Sequence, residues 1–267
     1  MRPHLFPAVS ALAFSLLALP ASALTLQITV ENLAPQGGVS FTPLWAAFHN
    51  GSFDSFDVGS ISSAPLEALA ELGQTAGLDS LLSVTDPNSV SAAIPAAQNG
   101  IGPVDPGETT SIEFNVDPTD ARYFSYLAMI LPSNDTFIGN DDALAYEIFD
   151  AKGAFNGTQI IEVLNAYDAG TEVNDPNLGP AFVVGQDATA GATENGVVSG
   201  ASSFDSFLGV QTPLGSFNSL AGLDGTQPIA RITIEAVAPV PLPAGLALGV
   251  TGLAALGAVK TARRNRA

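Results

Sequence analysis

Short apolar runs separated by turns dominate this chain and limit the folds that it can adopt. The run Tyr123–Leu131 carries no charge and stops at Pro132, which lacks a backbone N–H and therefore ends strand pairing. Similar runs, several of them alternating apolar and polar residues, are bounded by Gly, Pro, Asn and Asp. This pattern is typical of antiparallel strands joined by turns, so we predict an all-β fold.

The predicted strands and helices follow from the same patterns. Ser62 or Ser63 can cap a short surface helix over residues 64–72, Pro65 suits its first turn and Gly73 can end it. We interpret residues 78–93 as one or two short strands. For the domain as a whole we predict one or two short surface helices. The strands expected elsewhere are residues 24–33, 41–48, 109–116, 123–131, 143–149, 158–166 and 229–237.

The chain has no cysteine, so disulfide bonds cannot stabilise its fold. A domain of roughly 200 residues can instead be stabilised by burial, helped by a bound metal ion. Trp45 is the only tryptophan, and we expect it in the core because large aromatic side chains dominate core burial.

The two ends of the chain differ in character from the part between them. Residues 1–23 combine Arg2, an apolar run over residues 8–19 and a small-residue Ala-Ser-Ala ending, which predicts a secretory signal peptide cleaved after Ala23. Residues 24–238 are the expected domain. Residues 239–267 contain the sequence VPLPA, an uncharged apolar stretch over residues 245–259 and a basic tail. The apolar stretch, counted from Val240, is long enough for a membrane helix, and the tail predicts a cytoplasmic C-terminus.

This C-terminal arrangement resembles the VPLPA-type relatives of the PEP-CTERM sorting signals. The resemblance implies processing by an exosortase-like membrane enzyme and delivery to the cell surface. A permanent single-span anchor is the alternative, and both interpretations place the domain outside the cytoplasmic membrane.

The charge of the expected domain is strongly negative. It contains all 26 acidic residues of the chain and only three basic ones, Arg122, Lys152 and Arg231. Such a surface repels nucleic acid and anionic lipid, so we predict neither as a partner of the domain. It suits divalent cations, a salty medium, or solubility alone.

Two strand-like runs each lead into a short loop that carries carboxylates. The sequence PSNDTFIGN, residues 132–140, follows the first run, and YDAGTE, residues 167–172, follows the second. Gly170 lies between Asp168 and Glu172, and glycine permits the positive φ that would turn both side chains inward. By itself a pair of acids four residues apart is more often a solvated loop than a site.

These two loops, together with FTPLWAAFHNGSFDSFDVG at residues 41–59 and the helix after it, resemble the spondin N-terminal domain family. This is the module of F-spondin and mindin, and the likeness, over about residues 24–238, is greatest to its bacterial branch. The resemblance implies an antiparallel β-sandwich, distantly like a C2 domain, with a calcium ion at one end. Carried over to this sequence, the implied ligands are Asp135, Asp168 and Glu172. Eukaryotic members use disulfides, and this chain departs from them.

Calcium is the metal that such a ligand set would favour. Calcium takes 6–8 oxygen ligands from carboxylates, carbonyls and water at roughly 2.3–2.6 Å, whereas magnesium demands a stricter octahedron. Oxygen ligands without histidine or cysteine disfavour zinc and copper.

Three classes of function remain open from the sequence. The first is an exported calcium-binding module that contacts matrix, an extracellular glycan or a surface protein. The second is a structural envelope component without a specific ligand. The third is a hydrolase that uses Asp54 with Asp57, or Asp135 with Glu172, as a carboxylate pair. His49 with Asp54 or Asp57 could be a general base and its orienting partner, or this segment could be a simple turn. No nucleophile elbow or zinc motif is present, so we do not expect an enzyme.

Overall fold

The computed structural model describes residues 23–96, 102–201, 204–223 and 225–238. The chain divides into two units, Met1–Ala236 and Val237–Ala267, and the fold below belongs to the first. The predicted signal peptide, apart from Ala23, and the predicted sorting signal over residues 239–267 lie outside the described residues. Within the ranges that are described, none of the helices has the length and apolar character needed to cross a bilayer.

Antiparallel strands are the main regular structure among the described residues and are accompanied by two α-helices, which confirms the predicted all-β class. The helices are α1 (Ala64–Leu72) and α2 (Ala76–Thr85). In chain order the strands are β1 (Leu24–Asn32), β2 (Ser40–Phe41), β3 (Leu44–His49), β4 (Val90–Ile94), β5 (Thr109–Val116), β6 (Tyr123–Leu131), β7 (Thr136–Gly139), β8 (Gln159–Val163), β9 (Ala166–Asp168), β10 (Ser199–Gly200), β11 (Gln211–Thr212), β12 (Gly215–Ser216) and β13 (Ala230–Ala236).

Two sheets pack face to face around the main core. The first has the order β5-β1-β13-β8, and the second has the order β10-β9-β7-β6-β3-β4, with β2 also paired to β6. In β1, every second side chain from Leu26 to Val30 is fully buried, which is the alternation expected of a strand with one solvated face. Their partners across the core come from β3 and β6, including Phe48 and Phe124.

The second sheet is covered on its outer face by the two helices, so β6 is buried on both sides. Leu66 and Leu69 of α1 and Leu78 and Leu82 of α2 pack there against a second apolar cluster that contains Trp45. The predicted burial of Trp45 is confirmed, and its indole Nε1 donates to Asp79 Oδ1 at 2.8 Å. The helix predicted over residues 64–72 is also confirmed, with Ser63 as its N-cap and Gly73 as its C-cap.

Three of the sequence predictions are wrong in detail. In the span over residues 78–93, residues 90–94 do form the strand β4, but residues 76–85 form α2, because Leu78 and Leu82 lie four apart and bury together on one helical face. Residues 143–149 form only isolated bridges. The run over residues 158–166 breaks after β8, and the chain crosses there to the other sheet as β9.

Candidate metal centre

The two acidic loops meet at one end of the second sheet. The first loop precedes β7 and the second follows β9, and these strands pair antiparallel with Thr136 opposite Asp168. The start of β7 therefore lies beside the end of β9. The amide of Ala169 donates to the carbonyl of Asp135 at 3.1 Å, which continues the pairing into the loops.

Asp135 is the central residue of this corner and is fully buried. Its Oδ2 accepts three hydrogen bonds, from the amides of Thr171 and Glu172 at 2.8 and 3.0 Å and from the Thr171 hydroxyl at 3.2 Å. Its Oδ1 has no partner among the described residues. One carboxylate oxygen thus holds the second loop in place, while the other is left unpaired in the interior.

Gly170 gives the second loop its shape. Its φ is +67°, a left-handed conformation that L side chains rarely adopt, and a Cβ there would lie 2.6 Å from the amide nitrogen of Val197. The Asp168 carboxylate stabilises the turn by accepting from the Gly170 amide at 2.8 Å. The order Asp-Ala-Gly-Thr-Glu therefore brings the amides of residues 171 and 172 onto Asp135.

Glu172 is the second buried carboxylate, with 6% of its surface exposed. Its Oε2 has no partner in the described part of the chain. The carboxylate lies so close to Gly191 that a Cβ there would overlap it. We call Asp135 Oδ1 and Glu172 Oε2 the two unpaired oxygens.

Asp168 is buried as well. Its Oδ2 accepts from Asn174 Nδ2 at 2.5 Å, and the side chain borders a cleft of about 390 Å³. Glu194 and Ser199 line the same cleft.

Burial and neighbouring charge raise the pKa of both carboxyls that carry the unpaired oxygens. For Asp135 the pKa rises from 3.8 to about 6, first by desolvation and then by the charge of Asp168. For Glu172 the pKa rises from 4.5 to about 7, first by desolvation and then by the charge of Glu71. Both shifts disfavour the ionised forms of these two carboxyls.

Helix α1 contributes acidic residues that the sequence analysis missed. After desolvation by burial, the charges of Glu71 and Glu67 are among the causes that raise the pKa of the Glu172 carboxyl. Their spacing of four residues already places them on one helical face. The sequence does not show which way that face points, because the packing of α1 on the sheet decides its orientation.

The structure places all three predicted ligands at one corner but does not gather them into a ready metal site. Asp135 lies within electrostatic reach of both Asp168 and Glu172. Across the described ranges, no group of three acidic, histidine or cysteine side chains is close enough to hold a metal ion.

The chemistry of the corner nevertheless fits calcium. Unpaired carboxylate oxygens in a buried position are costly unless a cation or a donor reaches them. Carboxylate oxygens such as those of Asp135 and Glu172 are the kind of ligand that calcium prefers. A bound cation would thus satisfy groups that the described residues leave unpaired.

The alternative catalytic constellation around His49 is not assembled. His49 is fully buried on β3, and the Gly51 amide donates to its Nδ1 at 3.1 Å, so the ring proton is on Nε2. Nε2 then donates to Ser125 Oγ at 3.0 Å and cannot take a proton from it. Asp54 and Asp57 are exposed, and the bonds of the His49 ring go to Ser125 and Gly51 instead.

Comparison with known proteins identifies the domain. No curated protein matches the sequence. A family model described as Spondin_N matches residues 32–189, which includes both acidic loops, α1 and α2. Because this match covers more than half of the chain, the protein belongs to the Spondin_N family.

Proposed function

We propose that this protein is an exported, calcium-binding β-sandwich module that contacts an extracellular glycan or a surface protein. Calcium would be held at the corner formed by the two acidic loops. The module would act as an adhesive or matrix-associated domain rather than as an enzyme.

The observation that carries this proposal is the pair of unpaired oxygens. Asp135 Oδ1 and Glu172 Oε2 are buried, belong to neighbouring loops, and find no donor among the residues that the structure describes. A calcium ion would supply the positive charge that both carboxylates lack and would link the two loops.

Each predicted ligand has a distinct role in this proposal. Asp135 is held in position by three hydrogen bonds to its other oxygen, so Oδ1 is available without reorganisation. Glu172 offers Oε2 from the second loop. Asp168 keeps lone pairs free beside its bonds to Gly170 and Asn174, and it adds a third charge.

The proposed location rests on the two ends of the chain, and the proposed class of partner rests on the charge of the domain. The predicted signal peptide and the predicted VPLPA-type sorting signal support export and delivery to the cell surface by an exosortase-like enzyme. The excess of acidic residues supports an extracellular medium that contains divalent cations, and it opposes nucleic acid as a partner.

The test is calcium titration of the purified protein, followed by calorimetry and by thermal melting with and without chelator. We expect saturable binding, and calcium at about 100 times its dissociation constant should add roughly 2.7 kcal/mol to the free energy of unfolding. A glycan array and a pull-down, each with and without calcium, then separate an adhesive module from a structural component. Identical melting with calcium and with chelator would overturn the metal site.

A further inference from the structure

The three basic residues of the domain differ in how far their charge is already paired. Arg231 is held by two carboxylates, with its guanidinium nitrogens 2.8 and 3.1 Å from their oxygens. Arg122 has one carboxylate partner, because its Nε and Nη2 both donate to Glu147 Oε1. Lys152 is exposed and takes part in none of the ion pairs among the residues that the structure describes. Arg122 and Lys152 therefore carry the positive charge that is still open to a ligand.

Arg122 and Lys152 line the same cleft, which has a volume of about 330 Å³. This volume lies at the lower end of the roughly 300–1,000 Å³ that is typical of small-molecule sites. The side chains of Asn50, Thr119 and Asp150 add hydrogen-bonding groups to the lining. Two of the three basic residues thus meet in one cleft of a domain that carries 26 acidic residues.

Hydrogen bonds and ring contacts fix the charged lining of this cleft. Asp150 Oδ1 accepts from the amides of Lys152 and Ala154 at 2.8 and 2.9 Å, which closes the turn that carries Lys152. On the other side, the guanidinium of Arg122 lies 5.2 Å from the centre of the Tyr123 ring, in addition to its ion pair. The cleft is therefore shaped before a ligand arrives, which lowers the entropic cost of binding.

The cleft offers both donors and a charged acceptor. No hydrogen bond within the described ranges uses Nη1 of Arg122, and the Lys152 ammonium has three protons to donate. Asp150 keeps its Oδ2 outside the bonds of its turn, and the amides of Ala154 and Lys152 hold its pKa below the usual value. Asp150 repels an anion without hydroxyls, whereas a sugar acid can donate a hydroxyl to it.

We propose that this cleft binds a uronic acid residue of an acidic extracellular glycan. The inference rests on the proposed function, because it names the class of glycan that the module contacts. The sugar carboxylate pairs with Lys152 and with Nη1 of Arg122, and a sugar hydroxyl donates to Asp150. The negative charge elsewhere on the domain weakens the binding of any anion, so we expect a dissociation constant of about 1 mM for a single site.

The cleft and the candidate metal centre lie at opposite ends of β6. Arg122 directly precedes this strand, and Asp135 follows its other end. The strand has nine residues and is roughly 30 Å long at about 3.3 Å per residue. Binding at the cleft should therefore persist in chelator, so that the glycan site and the calcium site can be tested separately.

The experiment titrates the purified protein, in chelator, with a trimer of galacturonic acid, a neutral trimer of galactose and sodium sulfate. Amide NMR shifts report the binding. We expect saturable shifts near residues 119, 122 and 150–154 with the galacturonic acid trimer, and affinities at least about tenfold weaker for the other two probes, since charge-assisted hydrogen bonds are the strong ones. Chelator also prevents calcium from bridging the protein and the acidic sugar.

Three variants assign the binding to the cleft. Lys152→Gln should weaken binding of the galacturonic acid trimer by about tenfold, because it removes an ammonium whose loss leaves no carboxylate unpaired. The matched control is Arg231→Gln, which removes the same charge away from the cleft and should change the affinity by less than about threefold. Asp150→Asn should narrow the preference for the sugar acid over sulfate, because it removes the repulsive charge.

The contrary outcomes are distinct. Equal affinity in wild type and Lys152→Gln, or an equal loss in Arg231→Gln, would overturn the cleft as the site. Equal binding of the galactose trimer or of sulfate would overturn the uronic acid as the ligand. A wild-type protein that does not bind the galacturonic acid trimer would overturn this inference, whereas the proposed glycan contact would fail only if the glycan array also shows no binding.

Discussion

Thr171 donates twice to Asp135, through its amide at 2.8 Å and through its hydroxyl at 3.2 Å, and both bonds end on the same oxygen, Oδ2. The second loop is therefore folded around one half of a buried carboxylate. The other carboxylate oxygen, Oδ1, has no partner among the described residues and is one of the two unpaired oxygens. Under the proposed function, Asp135 shapes the loop with one oxygen and offers the other to calcium.

The replacement Asp135→Asn should separate these two roles. The amide oxygen of asparagine can accept the bonds from residues 171 and 172, so the loop should keep its shape. We expect the calcium-dependent rise in melting temperature to disappear, while the melting temperature in chelator stays the same or increases because a buried charge is lost. A variant that still gains the full wild-type shift with calcium would contradict the site.

Gly191→Ala should disturb the Glu172 carboxylate without straining the backbone. The new Cβ would overlap that carboxylate, which is the end of a flexible side chain and can move aside. We expect calcium affinity to fall by about tenfold, since it depends on ligand placement. The matched control is Gly200→Ala, because a Cβ there meets nothing within 4 Å. Circular dichroism should show both variants folded, and titration should separate them; equal affinities would refute the placement of Glu172.

His49 should make stability depend on pH. Burial lowers the pKa of His49 from 6.5 to about 4, although the nearby Asp86 carboxylate opposes this shift. Between these values the unfolded chain binds a proton that the folded chain does not, so the free energy of unfolding falls as the pH is lowered. We expect a loss of about 2 kcal/mol between about pH 7 and about pH 5, attributable to this residue.

The measurement is urea denaturation of wild type and His49→Gln at a series of pH values in chelator. Other carboxyls titrate in both proteins, so the difference between the two curves isolates His49. That difference should shrink as the pH falls. A constant difference would show that His49 is not buried in its neutral form.

The second apolar cluster, which contains Trp45 and is covered by α1 and α2, should contribute as much to the free energy of unfolding as the main core does. Leu69 of α1 is fully buried, so Leu69→Ala should cost about 2–5 kcal/mol in urea denaturation. Leu72 is 38% exposed on the same helix, and Leu72→Ala should cost less than about 1 kcal/mol. Similar costs for both would mean that α1 does not cover the sheet in solution.

Much of the strand pattern could be predicted because each strand has a local signature. The run Tyr123–Leu131 is continuously apolar, since β6 is buried by a sheet on one side and by helices on the other. Residues 109–116 alternate, since β5 has one solvated face. The prediction failed at residues 158–166, where nothing in the apolar pattern marks the point at which the chain crosses from one sheet to the other.

The sequence by itself determined the all-β class, the helix over residues 64–72 and the two loops that carry Asp135, Asp168 and Glu172, because turn residues, caps and apolar runs act over a few neighbours. Only the tertiary structure decided which carboxylate oxygens are left unpaired and that the N-terminal end of α1 meets the second loop, where Ser62 Oγ donates to the Ala169 carbonyl. Those features depend on how sheets and helices pack across distant parts of the chain. Burial and hydrogen-bond partners are properties of that packing and have no local sequence pattern.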